Sequence, residues 1–303
     1  MVFKMAAQNA QILSANYDNI RTTGAAIYQM APCTSSQMMG YVIRSTDGKL
    51  FCIDGGTTGD TEGFLTLARR AAGCPDDAVL HIDGWFLTHP HSDHINVFLE
   101  TVARFGDTVQ FDHVYYNFPH TEYQEKYEPI EAHTMREYDA LHAAFLDREV
   151  IVHAGDHFDF GDAVFDILTE PDESITVNTG NNVSVAIRLS LCGQRILFLG
   201  DMGVEEGNAM IAKYPKEELH ADFVEAAHHG QNGVDYPVYF VIAPRAVLWC
   251  TPEWLWTNNA GGGYGTGPWK TFHVRCCMQD IGVTHHFIEK DGIWEIPLPY
   301  SFD

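Results

Sequence analysis

Basic residues are scarce. Lys and Arg number 18 against 41 Asp and Glu, a formal charge of −23 over 303 residues. Proteins that grip nucleic acid do so through clustered Lys and Arg, so this balance argues against a polyanionic partner and for a small-molecule substrate. Long apolar runs are absent too. Nothing approaches the roughly 20 apolar residues that a membrane span requires. The opening stretch, residues 1–19, has no apolar segment of the signal-peptide kind. The chain therefore reads as soluble and cytoplasmic, with no membrane partner and nothing that fixes an oligomeric state.

Cysteine is present without pattern. Cys33, Cys52, Cys74, Cys192, Cys250, Cys276 and Cys277 are odd in number and irregularly spaced, and no C-x-x-C occurs. That argues against a disulfide framework and a thiolate zinc site, and for inert, buried thiols in a reducing compartment. No G-x-S-x-G elbow or Cys-His arrangement offers a protein nucleophile. No repeat or low-complexity linker divides the chain.

What remains is ordinary in bulk, 46% hydrophobic and 19% charged, and able to build a sizeable core. Strand hairpins and helices alternate along the whole length. Residues 40–56 predict a hairpin around Asp47-Gly48, and 60–73 a helix capped by Asp60 or Thr61 and stopped by Gly73. Residues 84–89 predict a buried strand followed by a helix. Residues 121–149 read as mostly helical, 149–170 as short strands, 181–201 as a hairpin ending at Asp201, and 282–298 as a closing hairpin. This pattern fits one α/β domain over 1–303, with sheets flanked by helices. The region 107–150 reads as a helical insertion that overhangs a site.

The chemistry concentrates in "FLTHPHSDHINVF", residues 86–98, where His89, His91, Asp93 and His94 fall within six positions. Alternate residues of extended backbone point to one side, so His89 and His91 can face one ion at the end of the buried strand. Asp93 and His94 sit where the loop enters a helix and can reach a second. Imidazole and carboxylate donors suit zinc, and also manganese or iron.

"THPHSDH" resembles the H-x-H-x-D-H signature of the metallo-β-lactamase superfamily. Other landmarks follow in the family's order over residues 40–298. They are Asp54 in "IDGG", Asp201 in "FLGD", and His228-His229-Gly230. The resemblance implies a four-layer αββα sandwich with two divalent metal ions, zinc first, at one sheet edge. It implies Asp201 as the bridge between the ions, and Asp54 as a support for the loop rather than a ligand. His89 and His91 then hold the first ion, and Asp93, His94 and His229 the second. His228 is left to meet a substrate oxygen or protonate a leaving group, with the reverse assignment of the two histidines open.

One departure stands out. The family's further histidine before the bridging aspartate has no counterpart in "VNTGNNVSVAIRLS", where Asn181 and Asn182 are the candidate replacement ligands. The hairpin and "AAHHG" are similar to one branch, the hydrolase domains of DNA-uptake (competence) proteins and the phosphorylcholine esterases.

These implications describe a hydrolase in which a metal-bridging hydroxide attacks a small phosphodiester or related phosphoester, with Asp93 and His228 as catalytic groups. Lactonase, thioesterase or amide hydrolase chemistry is the alternative within the family, and a non-catalytic metal-binding domain the alternative outside enzymes. A redox role is disfavoured, because the family's iron proteins carry glutamate where this chain has His91. His120, Tyr123, Trp254, Trp256 and Tyr264 are candidate substrate-facing side chains from the overhang and a late Gly-rich loop.

Overall fold

The computed structural model describes Tyr17, Ile20 and residues 23–303. The rest of the opening stretch read for an export signal lies outside the described residues. No described helix is long and apolar enough to cross a membrane.

Two seven-stranded sheets face each other. The first contains β1 (Ala25–Gln29), β2 (Gly40–Arg44), β3 (Leu50–Asp54), β5 (Gly84–Phe86), β7 (Val114–Tyr116), β8 (Glu149–Ile151) and β16 (Trp294–Leu298), in the order β16-β1-β2-β3-β5-β7-β8. The second contains β9 (His157–Asp159), β10 (Val164–Ile167), β11 (Ile187–Leu191), β12 (Gln194–Phe198), β13 (Phe223–Glu225), β14 (Ala246–Trp249) and β15 (His285–Ile288), in the order β15-β14-β13-β12-β11-β10-β9. Strands β4 (Leu80–Ile82) and β6 (Val109–Phe111) form a separate pair.

The core is three-layered, as an αββα sandwich requires. Ile27, Tyr41, Ile53, Phe86, Phe165, Phe198 and Leu248 interdigitate between the sheets. Tyr28, Trp85 and Cys52, from the other face of the first sheet, pack with Phe64, Leu67, Ile95 and Phe98 of helices α1 (Thr61–Ala72) and α2 (Ser92–Arg104). Leu197, Val224 and Trp249 of the second sheet pack beneath Met210, Tyr239 and Met278. Those three belong to helices α5 (Val204–Lys213), α6 (Tyr236–Ile242) and α7 (Thr271–Ile281). Strands covered on both faces read as continuous apolar runs, which is why β2 and β3 are buried at every position.

Helix α1 ends where expected. Gly73 takes φ 64° and donates its N–H to the carbonyls of Arg69 and Arg70, a left-handed cap that glycine adopts without Cβ strain. The 40–56 hairpin forms with Gly40 opposite Asp54. The closing hairpin does not. Strand β15 runs parallel to β14 in the second sheet, whereas β16 pairs with β1 in the first. The turn at Glu289–Asp291, followed by Gly292 at φ 116°, carries the chain from one sheet to the other. Alternation of apolar residues fits either partner, so the sequence pattern alone does not choose between them.

Of residues 107–150, β7 and β8 join the edge of the first sheet. Between them come helices α3 (Thr121–Tyr127) and α4 (Ala132–Leu141). Tyr123, read as a substrate-facing candidate, is buried and donates its hydroxyl to the Ile175 carbonyl. It ties α3 to the loop before β11.

Candidate metal centre

The loops that leave the C-terminal ends of β3, β5, β12, β13 and β14 converge at one edge of the sandwich. β3 and β5 run parallel, as do β12, β13 and β14. Sites in α/β sheets collect at such strand ends because parallel strands deliver their connecting loops to the same side. Residues 87–94 leave β5 and turn into α2, whose first turn holds Asp93 and His94. A carboxylate there also meets the positive end of the helix. Gly55 permits the close approach of α2, since a Cβ would lie 2.7 Å from Val97.

Asp54, at φ 52°, anchors this loop. It accepts the Thr88 N–H at 2.8 Å, the Thr88 hydroxyl at 2.7 Å and His94 Nδ1 at 2.8 Å. The bonding chemistry then settles three ring tautomers. His94 must donate from Nδ1 to a carboxylate. Thr88 gives its hydroxyl hydrogen to Asp54, so its oxygen accepts from His89 Nδ1 at 3.1 Å. His229 Nδ1 donates to the Cys250 carbonyl at 2.9 Å. In its neutral form each ring would offer Nε2 to a cation, the arrangement that a metal-bound histidine shows when its far nitrogen is tied; burial lowers the pKa of His94 and His229, but the surrounding carboxylates, Asp201 first, outweigh it and raise both.

Those Nε2 atoms have no hydrogen-bond partner of good geometry among the described residues. The same holds for His91 Nε2, Asp201 Oδ1, His228 Nδ1 and Asn181 Oδ1, all buried. One such atom costs about 1–3 kcal/mol when left unpaired, so a cluster of them is a donor set built for cations. Spacing supports the fit. Four His–carboxylate pairs elsewhere close to 2.7–2.8 Å, namely His120–Glu173, His142–Glu149, His153–Glu170 and His157–Asp166, while the exposed His81–Asp112 pair stands at 3.4 Å. In the centre the Nε2-to-carboxylate separations are instead 3.1–4.0 Å. Two donors at about 2.0–2.2 Å from one tetrahedral zinc stand about 3.3–3.6 Å apart.

Asp201 faces two ways. Oδ1 lies 3.1 Å from His94 and 3.6 Å from His229, while Oδ2 lies 3.8 Å from His89 and 3.6 Å from His228. Asp93 completes the first of these sides, with Oδ2 3.3 Å from His229 Nε2. His91 meets His89 edge to face with ring centroids 4.4 Å apart and meets a residue that sequence reasoning missed. Glu128 Oε1, from the turn after α3, is 3.5 Å from His91 Nε2.

The two adjacent imidazoles His228 and His229 are aimed by unusual backbone, φ 52° and 54°. Left-handed conformations cost a side-chain-bearing residue roughly 1–2 kcal/mol, strain that tends to collect at functional sites. Gly230 follows because a Cβ there would stand 2.6 Å from the Trp249 ring.

Burial raises the Asp201 carboxyl, but His94, His228 and His229 outweigh it and hold the pKa well below the usual carboxylate range. Burial and the neighbouring rings of His94 and His91 push His89 well below the ordinary imidazole value, so it is neutral and free to ligate. Burial, then the charge of Asp54, raises Glu225 to about 7. That side chain accepts the N–H groups of Leu199 and Gly200 and so fixes the approach to Asp201.

The remaining sequence candidates separate. Asn182 is engaged: its carbonyl accepts the Glu206 N–H, and its amide donates to Val177 and Glu205. A carbonyl held in that network is not presented to the centre, which corrects its reading as a replacement ligand. Asn181 gives its amide to Asn178 and keeps a bare oxygen. His120 is exposed and bonded to Glu173. Trp256 and Tyr264 line a separate cavity of about 490 Å³ with Arg275 and His286, which none of the candidate ligands lines. Trp254 donates to the Ser35 carbonyl. These side chains lie apart from the gathered histidines and carboxylates. Gln37, which donates to Asp93 at 2.8 Å and is itself held by Gln231, was also missed. Glutamine carries no local signal for such a role.

The fold is similar to those of known proteins. The structure is similar to Zn²⁺-bound PqqB from Methylobacterium extorquens, at 11% identity and TM-score 0.51, over 86% of this chain and 88% of that one. It is similar to a mutant of the CmlA β-hydroxylase at 14% identity and TM-score 0.53, over 92% of this chain and 55% of the other. YhfI from Bacillus subtilis, a metallo-β-lactamase fold protein, matches at 12% identity and TM-score 0.49, over 89% and 99%. At these identities the likeness is one of fold. No curated protein sequence matches the chain. The model of the metallo-β-lactamase superfamily matches residues 39–245, more than half of the sequence. The chain belongs to the metallo-β-lactamase superfamily.

Proposed function

We propose that this protein is a metal-dependent hydrolase of a small phosphodiester or related phosphoester. The observation that carries the reading is the two-sided Asp201 carboxylate, with bare histidine nitrogens on each side. His89 and His91 would hold one ion, Asp93, His94 and His229 the other, and Asp201 both. When bound, two divalent cations supply a water nucleophile active near neutral pH and Lewis acidity toward the ester oxygen.

The chain's own groups do the rest. Asp54, Thr88 and the Cys250 carbonyl hold the imidazoles so that only Nε2 is offered. Gln37 neutralises part of the charge on Asp93. His228 is the proton donor for the leaving oxygen. Its ring sits beside Asp201 and retains some solvent exposure; burial lowers its pKa, so the donor form requires the approaching substrate's charge to hold the proton.

The phosphoester is favoured over the lactone, thioester or amide by the resemblance of residues 181–201 and "AAHHG" to the competence-protein hydrolases and phosphorylcholine esterases. The formal charge of −23 favours a small substrate over a nucleic acid strand. A panel of bis-p-nitrophenyl phosphate, p-nitrophenyl phosphorylcholine, a thioester and a lactone tests it. Turnover of a phosphodiester is expected. Turnover of the carbonyl substrates alone would sink the phosphoester assignment.

A further inference from the structure

We infer that Glu128, carried by the helical segment between β7 and β8, is the protein ligand that completes the first ion's shell in place of the family's missing histidine. The inference rests on the metal-hydrolase reading and deepens it.

The first ion's side is short of donors. The ligand atoms of His89, His94 and Asp201 gather within 4.8 Å of one another, as do those of Asp93, His94 and His229, whereas His91, its ring centroid 4.4 Å from that of His89, belongs to neither group. His91 is more than nine-tenths buried, and its Nε2 makes no hydrogen bond of good geometry among the described residues, the Glu128 carboxylate being the group that interacts with it. The nearest carboxylate oxygen is Glu128 Oε1 at 3.5 Å. A hydrogen-bonded charged pair closes to about 2.7–2.9 Å, as His142–Glu149 does at 2.7 Å. Two atoms sharing one zinc stand about 3.3–3.6 Å apart. The His91–Glu128 pair has the second spacing.

The carboxylate is held there rather than passing by. Gly180 leaves room for it, since a Cβ at that position would lie 1.6 Å from Glu128 Oε2 and 2.4 Å from His91 Nε2. Glu131, three residues on, accepts the Ser92 N–H at 3.2 Å and pins the turn to the metal-binding loop. A carboxylate is a zinc ligand of ordinary strength and brings a negative charge that neither a histidine nor Asn181 would bring. The first ion's shell would then be His89, His91, Glu128 and Asp201.

The test loads the full-length protein with zinc or cobalt. It reads ions per chain, affinity by competition with a chromogenic chelator, and the cobalt visible spectrum. Wild type should hold two ions. Glu128→Gln, nearly isosteric and folded by circular dichroism, should keep one ion at wild-type affinity and bind the other at least about tenfold more weakly, with a changed cobalt spectrum. Glu131→Gln, which loosens the turn but leaves the ligand, should keep both ions. Two ions at unchanged affinity and spectrum in Glu128→Gln overturns the proposal. So does loss of the weaker ion in His228→Ala with none in Glu128→Gln, which makes the histidine the ligand. Equal loss in Glu131→Gln and Glu128→Gln also overturns it, since it reduces Glu128 to a structural contact. Fewer than one ion per wild-type chain would instead remove the metal-hydrolase reading itself.

Discussion

Asp201 Oδ1 and His94 Nε2 stand 3.1 Å apart, both buried, and neither makes a hydrogen bond of good geometry among the described residues. Two such groups share a cavity at little cost when a positive charge neutralises the carboxylate, a cation between them or a proton on His94. The other oxygen of Asp201 turns toward His89 and His228, so one carboxylate serves two sides. Asp201→Ala should retain the fold by circular dichroism and lose hydrolysis by on the order of 10³-fold or more in kcat/KM, about 4 kcal/mol. Unchanged turnover refutes the bridging role.

Asp54 fixes the loop through three hydrogen bonds, two of them to Thr88 and one to His94. Asn tolerates the left-handed backbone at φ 52° and preserves part of the bonding, while removing the charge that orients His94. Asp54→Asn should weaken metal affinity about 10–100-fold, read by chelator competition, with less effect on the thermal midpoint. Unaltered affinity would show that the charge behind His94 is not needed.

Gly180→Ala places a methyl group within 2.4 Å of His91 Nε2 and closer still to Glu128. The φ of Gly180 is not positive, so alanine fits the backbone and the damage is local. Metal analysis should show selective loss of one ion with the other retained. Retention of both would mean that the turn moves aside freely.

Glu225 is buried, with its pKa raised by burial and Asp54 to about 7. An exposed glutamate titrates near about 4.3, so the folded state holds the extra proton. This group's stabilising contribution is complete below about pH 4 and is lost as pH rises through 7. Glu225→Gln mimics the protonated acid. Urea unfolding should show wild type losing stability relative to Glu225→Gln between pH 5 and pH 8, by of order 3 kcal/mol at about 1.4 kcal/mol per pH unit. A difference that stays constant with pH contradicts the assignment.

Much of the centre was legible in the sequence because its donors are local. His89, His91, Asp93 and His94 share one loop after a buried strand, and the spacing of "THPHSDH" carries their chemistry. Asp54, Asp201 and His229 were readable as turn residues at strand ends in a fixed order. Glu128 was not. It is one of 41 acidic residues, and only the packing of α3 and the space at Gly180 bring it to His91. The closing strands failed for a similar reason. β15 and β16 each satisfy the strand pattern, but their partners lie in different sheets and are chosen by tertiary pairing. Trp256 and Tyr264 look like ligand-binding aromatics in sequence and line a cavity apart from the centre.

The central claim is that this fold assembles two adjacent ion sites on either side of Asp201. Elemental analysis of the full chain, supplemented with zinc or manganese and then desalted, tests it most directly. Two ions per chain are expected. Fewer than one per chain would contradict the account.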